Sequence, residues 1–206
     1  MSRAFPFLFF SEFKKEVIRE KEKVFLMKSI SKTKKEKTNM QTQTAVQDEK
    51  QEIVVLADVP RSENDIYRIS RKHYKGNRYL DLRIFFKAKD DTATLVPCLK
   101  GVCFAEKFRE DIIAGLIMAR TIPQPVIPEG KTIASVTVCD ISVSETEIFR
   151  ISKGCGKKTV FVDIRKFFAS KDGAFIPFKT KGVSIQETAL EEVILGLVQS
   201  GPKHSA

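Results

Sequence analysis

The chain has 206 residues, 42% hydrophobic and 30% charged, and its 36 Lys plus Arg against 26 Asp plus Glu give a formal charge of +10 and a pI near 9.4. This excess favours polyanionic partners or an acidic surface. Cys98, Cys103, Cys139 and Cys155 lack paired metal-ligand spacing and there are only two histidines, which excludes a Cys/His metal centre and suits a reduced setting, cytoplasm or nucleoid in a bacterium and nucleus in a eukaryote.

In chain order, residues 1–52 read as a basic leader. Phe5–Phe10 (FPFLFF) is apolar but far too short to span a bilayer. Glu12, Lys14, Lys15 and Glu16 follow at once with no small-residue cleavage pattern, which argues against a secretory signal. Lys28–Glu52 has no apolar period and is rich in Lys, Thr, Gln and Ser, so it is expected to be disordered. Its Lys32, Lys34, Lys35 and Lys37 add nonspecific phosphate contacts or, more simply, form a solvated tether.

Residues 53–120 read as a first small domain. Ile53–Val59 and Ile66–Ser70 are strands by their Val and Ile content, and a basic turn at His73–Arg78 leads into a third. There Leu80 and Leu82 alternate with Tyr79, Asp81 and Arg83, which puts apolar residues on one face and polar or aromatic ones on the other. The adjacent pair Phe85-Phe86 breaks this alternation, so a bulge is expected at that point. Asp90-Asp91 reads as a hairpin turn. A closing helix follows, with Phe104, Phe108, Ile112, Ile113, Leu116 and Ile117 as its apolar stripe and Glu106, Glu110 and Asp111 in its early turns.

Residues 121–134 form a linker with three prolines in Thr121–Gly130. At up to about 3.3 Å per residue it can reach across a small domain. Residues 135–200 then form a second domain. Its strands are expected at Ser135–Ile141 and Ile148–Ser152, its basic turn at Gly154–Lys158, and its third strand alternates Val162 and Ile164 with Phe161, Asp163 and Arg165. Phe167-Phe168 and a strong Asp172-Gly173 turn signal come next. The last helix carries Leu190, Val193, Ile194, Leu197 and Val198, with Ser184 and Glu187 as a capping box. Residues 201–206 are a frayed tail.

The second domain restates the first. Asp163–Gly182 (DIRKFFASKDGAFIPFKTKG) lies over Asp81–Gly101 (DLRIFFKAKDDTATLVPCLKG), with Asp, Arg, the Phe pair and Lys-Asp in step, one slip after the turn, and Lys100-Gly101-Val102 on Lys181-Gly182-Val183. Ordered matches over a period of about 80 residues indicate a duplicated domain. A unit of about 65 to 70 residues is marginal as a core of its own, so the copies are expected to lean on each other as an intramolecular pseudo-dimer. Residues 1–52 and 53–120 each carry +4 and residues 135–200 carry +1, so the excess charge is not confined to the leader. Acidic residues concentrate on the helices, which leaves the strands more basic.

Arg and Lys interleaved with Phe and Tyr on a strand face match what single-stranded nucleic acid requires: cations for phosphates, and rings to stack on unpaired bases. The candidates are Lys72, Tyr74, Lys75, Arg83, Phe86 and Lys100 in the first copy, and Lys157, Lys158, Arg165, Phe168 and Lys181 in the second. The competing reading is a half-buried sheet whose Phe residues are core and whose Lys residues are merely solvated. No catalytic residue is assigned. His73 and His204 have no duplicated Cys or Ser partner, Asp81 and Asp163 read as strand residues paired with Arg or Lys, and no phosphate loop or dinucleotide fingerprint occurs. No cofactor, metal or membrane is expected.

The order strand, turn, strand, Lys-Gly-Val, helix resembles the single-stranded DNA-binding domain of the transcriptional coactivator family called positive cofactor four. Tyr74-Lys75-Gly76, Asp81–Phe86, Pro97 and Lys100-Gly101-Val102 carry the resemblance once, and Asp163–Phe168, Pro177 and Lys181–Ser184 carry it again. It implies an α+β fold of two tandem copies of a curved four-stranded antiparallel sheet, each followed by a C-terminal helix and paired through helix and strand edges. The pairing is similar to that in Pur-alpha and Whirly-type proteins. It also implies base stacking by Phe86, Phe168 and Tyr74, and phosphate contacts by Arg83, Arg165, Lys100 and Lys181. The second copy departs from the pattern, with Gly156 where Tyr74 stands and Lys158 where Gly76 stands, and Phe replaces the family's tryptophan in both. The expected role is a single-stranded DNA-binding transcriptional coactivator or regulator, with RNA as a further ligand, the transcription machinery as a partner, and further oligomerisation open. The alternatives are a module that docks transcription factors, or a Pur-alpha-like RNA-binding protein.

Overall fold

The computed structural model describes residues 52–88 and 94–201; the leader up to Gln51, the Asp90-Asp91 turn and the tail after Gly201 lie outside the described residues. Strands β1 (Ile53–Pro60), β2 (Asp65–Tyr74), β3 (Asn77–Lys87) and β4 (Leu95–Ala105) are followed by a 3-10 turn and helix α1 (Arg109–Thr121). The same order returns as β5 (Ile133–Ser142), β6 (Glu147–Gly156), β7 (Val160–Ala169), β8 (Phe175–Gln186), a 3-10 turn and helix α2 (Leu190–Gln199). The protein is therefore α+β, two sheet-and-helix copies in tandem.

Each half is an antiparallel meander, and the two meanders fuse into one eight-stranded sheet of order β1-β2-β3-β4-β8-β7-β6-β5. The fusion is a single parallel bridge in which Gly101 of β4 faces Lys181 of β8. Alternation drives burial in both halves. Tyr67 and Ile69 on β2, Leu80 and Leu82 on β3, Ile151 on β6, and Val162 and Ile164 on β7 are fully buried, and Phe149 nearly so. Both outer strands carry a bulge at the equivalent place, Leu56 in β1 and Val138 in β5.

Three expectations need correcting. The Phe85-Phe86 pair does not interrupt β3, which stays in register with β2 through Phe86 opposite Asp65. The extra residues lie in the partner strand, Cys98, Leu99 and Lys100 between Pro97 and Gly101, and likewise Phe178 to Lys181 in β8. The β8 bulge is thus one residue longer, while the β3–β4 hairpin encloses seven residues against five in β7–β8; together these make the one-residue slip. Phe104 belongs to β4 rather than to the helix. Ser184 caps no helix; it lies in β8 and its hydroxyl donates to Asp163 at 2.6 Å, because strand pairing places it opposite that carboxylate.

The halves are interlocked by exchanging helices. Helix α1 packs on β5 and β6 of the second half, and α2 packs on β1 and β2 of the first. Close approach explains a glycine in each: a Cβ at Gly115 would stand 2.4 Å from Ile151 Cδ1, and one at Gly196 would stand 2.6 Å from Ile69 Cδ1. Phe149 seals the centre, edge-on to Phe104 at 6.2 Å and to Phe108 at 6.1 Å.

Two cations lock the exchange. Arg71 on β2 pairs with Glu106 at 3.1 Å and also donates to the carbonyl of Ser200 at the end of α2. Lys153, at the equivalent place on β6, pairs with Glu187 at 2.9 Å and donates to the Ile122 carbonyl at the end of α1 at 2.8 Å. Cations suit helix C-termini, where unpaired carbonyls gather negative potential. On one side only, the Tyr67 hydroxyl bridges the halves, donating to the Ser184 carbonyl at 3.1 Å and accepting from the Gln186 amide at 3.0 Å. Among the described residues, no helix is long and apolar enough to cross a membrane.

Candidate nucleic-acid interface

The β2–β3 hairpin turns on Lys75 and Gly76, whose φ values of +48° and +74° make it a two-residue turn of the type whose twist matches the strands it joins. The turn holds Tyr74 out, 51% exposed, with the Lys75 ammonium 5.3 Å from its ring centroid. In the second half the Gly156 amide donates to the Thr159 carbonyl at 2.8 Å, leaving Lys157 and Lys158 exposed at the tip, where Gly156 stands in place of Tyr74.

Phe86 sits at the far end of the same hairpin and is 41% exposed. Nine residue steps along β3 separate it from Asn77, the partner of Tyr74, so the two rings stand about 30 Å apart. They cannot hold neighbouring bases. Phe85, by contrast, is covered by the Arg68 guanidinium 4.8 Å from its ring, and Phe167 is covered in the same way by Arg150 at 4.8 Å. Those two arginines fork onto Asp58 and Asp140, and the hydrogen bonds raise both guanidinium pKa values further above an already high value. Covering one Phe of each pair leaves the other as the ring available to a ligand.

Phe168 is less free than Phe86. It lies half-buried against Phe178, centroids 4.8 Å apart at 49°, and the Lys181 ammonium stands 4.3 Å from the Phe178 ring. The first half has Cys98 next to its proline where the second has Phe178. Sequence matching passed over this ring because it falls inside the longer bulge, where the copies are out of step. The only local signal was Pro177-Phe178 against Pro97-Cys98.

The arginines read as phosphate ligands are largely committed elsewhere. Arg83 donates to both oxygens of Asp81 at 3.3 Å, and to the Cys98 and Leu99 carbonyls at 2.8 and 3.1 Å. Four of its five N–H groups are used. Arg165 repeats this on Asp163 and on the Phe178 and Lys179 carbonyls. Gly101 and Gly182 make room for these side chains: a Cβ there would stand 2.9 and 2.8 Å from the respective guanidinium carbons. The Arg-Asp pairs therefore fasten the β4 and β8 bulges, which carry Lys100 and Lys181 outward. Lys72 is also engaged, with Asp81 at 2.6 Å. Of the candidate cations, that leaves Lys75, Lys100, Lys157, Lys158 and Lys181 exposed.

Two thiols are held neutral. Burial, followed by the Asp140 and Asp111 charges, pushes Cys139 up to about 11. Burial and the Asp81 charge also raise Cys103. Among the described residues, no group of three His, Cys, Asp or Glu is placed to hold a metal.

No family model matches the chain, and neither does any curated protein. Among solved structures, the chain is similar to a PC4 homolog from Burkholderia pseudomallei. In an orthorhombic crystal form the identity is 31%, over 34% of this chain and 93% of that one, with a TM-score of 0.32. In a tetragonal form the identity is 34%, over 32% of this chain and 94% of that one, with a TM-score of 0.30. Each match spans a length close to that of a single half.

Proposed function

We propose that the protein binds single-stranded nucleic acid, DNA before RNA, along the hairpins and bulges of its sheet, and acts through that binding as a transcriptional coactivator or regulator. The observation that carries this reading is Phe86, an apolar ring 41% exposed on a well-formed strand whose other end presents Tyr74 and Lys75. Water-exposed rings beside lysines offer stacking and phosphate neutralisation together, and only unpaired bases have faces free to stack. In this reading residues 53–120 and 135–200 are the two halves of one binding unit, and residues 1–52 are a cationic tether. Arg83 and Arg165 act as positioning residues that hold Lys100 and Lys181 in place. Tyr74 and Phe86 stand at opposite ends of the hairpin and, by strand alternation, on opposite faces, so they engage separate stretches of a bound strand.

Fluorescence anisotropy with single-stranded and duplex oligonucleotides at two ionic strengths tests the reading. Tight binding of the single strand, weaker binding of the duplex, and a log-log salt slope of about −0.7 per phosphate contact are expected. Equal affinity for duplex, or undiminished binding by a folded Phe86→Ala plus Phe168→Ala protein, would overturn it. A protein that ignores both oligonucleotides and instead retains a protein partner at moderate salt would point to the docking-module alternative.

A further inference from the structure

The seam where β4 meets β8 contains a cleft of about 350 Å³ whose lining includes Arg83, Cys103, Phe149, Lys166, Thr180 and Lys181. It differs from the equivalent place across the pseudo-twofold axis. There Tyr67 sends its hydroxyl across the seam to Ser184 and Gln186, Ser184 is tied to Asp163, and the strand residue paired with Tyr67 is the apolar Ile84. On the cleft side Phe149 has no hydroxyl with which to bridge Cys103 and Ala105. The strand residue paired with it is a cation, Lys166.

The cleft is rich in donors. Lys166 spends one N–H on Glu147 at 2.8 Å and keeps two. Lys181 rests over the Phe178 ring and has no hydrogen-bond partner among the described residues, so its three N–H groups are free. Arg83 keeps one, and Thr180 adds an exposed hydroxyl. Lys72, Arg83, Lys166 and Lys181 outnumber the nearby carboxylates, Asp81 and Glu147, by two charges. An excess of spare donors under net positive charge favours an anion that only accepts hydrogen bonds.

We propose that this cleft is a phosphate-ester site, with Lys166 and Lys181 as its ligands, filled by a backbone phosphate where a single strand passes from one half to the other. The inference rests on the nucleic-acid reading for its polymeric source. A free nucleotide offers the same chemistry.

The test uses the full chain with Lys166→Ile, which installs the residue its counterpart Ile84 already is. Lys131→Ile, at an exposed position away from the seam, serves as the control of equal charge change. For an oligothymidylate long enough to span both halves, Lys166→Ile is expected to weaken binding about three- to tenfold at low salt. It should also reduce the salt slope by about 0.7, with Lys166→Arg restoring both and the control moving neither. Should Lys166→Ile fail to fold, Glu147→Gln, which releases the Lys166 ammonium, is expected to tighten binding. Calorimetry with thymidine 5′-monophosphate separates the sources: saturable binding lost in Lys166→Ile assigns the cleft to free nucleotide, and its absence alongside the oligonucleotide effect assigns it to the backbone. If Lys166→Ile behaves as the control does while the wild type still binds oligonucleotide, this inference fails and the proposed function stands. If the wild type binds neither ligand, both fail.

Discussion

The two halves share their strand register up to the β4 and β8 bulges and disagree in what they present to solvent. At the hairpin tips Tyr74 and Lys75 face Gly156 and Lys157, and at the far ends an open Phe86 faces a Phe168 covered by Phe178. At the seam the first half has Ile84 where the second has Lys166, and Cys103 where the second has Ser184. The helix-exchange contacts hardly diverge: Gly115 and Gly196 sit under the equivalent isoleucines, and Arg71 and Lys153 both hold the end of the other half's helix. Packing tolerates little change at sites without spare volume. Surfaces and the seam carry no such constraint, and that is where the halves differ.

The sharpest way to break this symmetry is through the paired locks. Arg71→Met leaves Glu106, whose side chain is only 16% exposed, and the Ser200 carbonyl without their cation, and should cost about 3 to 5 kcal/mol in urea unfolding. Lys153→Met should cost less, about 1 to 3 kcal/mol, because Glu187 is 48% exposed and keeps its water, which leaves the Ile122 carbonyl as the main loss. Equal losses would mean that the locks are equivalent after all.

Next in size are the rings. Phe86→Ala should weaken single-strand binding by about 1 to 3 kcal/mol in an anisotropy titration. Phe168→Ala should cost clearly less, since Phe178 already occupies part of its surface. A larger effect at Phe168 would reverse the ranking of the halves.

Tyr67→Phe makes the first half resemble the second by removing the hydroxyl between Ser184 and Gln186, and should cost about 1 kcal/mol in chemical denaturation without altering the salt slope of binding. The smallest expected effect is the pH response of Cys139. With its folded pKa raised to about 11, the folded state keeps the proton longer than the unfolded one, so its contribution is complete below the unfolded value near 9 and is lost as pH climbs toward 11. Wild type should therefore lose stability faster than Cys139→Ala over that interval. Parallel urea midpoints would show that folding does not raise this thiol's pKa.

Much of this could be read in advance because it rests on local chemistry. The alternation of Leu80 and Leu82 with Asp81 and Arg83 marks a strand with one dry face, and Asp172-Gly173 marks a turn, Gly173 having a φ of +77°. The face assignment of Phe85 and Phe86 was not readable. It follows plain alternation along β3, Phe85 with Asp81 and Arg83 and Phe86 with Leu80 and Leu82, because the irregularity is absorbed by β4, and a strand's own letters do not say which partner bulges. The engagement of Arg83 and Arg165 with bulge carbonyls was not readable either, because motif order carries no record of the carbonyls that a bulge turns toward a guanidinium. Phe178 went unmarked because it lies in the longer bulge, and Lys166 because the first copy has the apolar Ile84 in its place.

Spacing and hydrophobic pattern alone determined that there are two sheet-and-helix halves of nearly equal length, since periodicity and turn chemistry act over a few residues and survive out of context. Only the folded molecule decided that each helix crosses to the opposite sheet, that β4 and β8 join side by side, and which rings and ammonium groups stay uncovered. Those outcomes depend on contacts between residues far apart in the chain, where the fit of one surface against another, rather than any local preference, selects the arrangement.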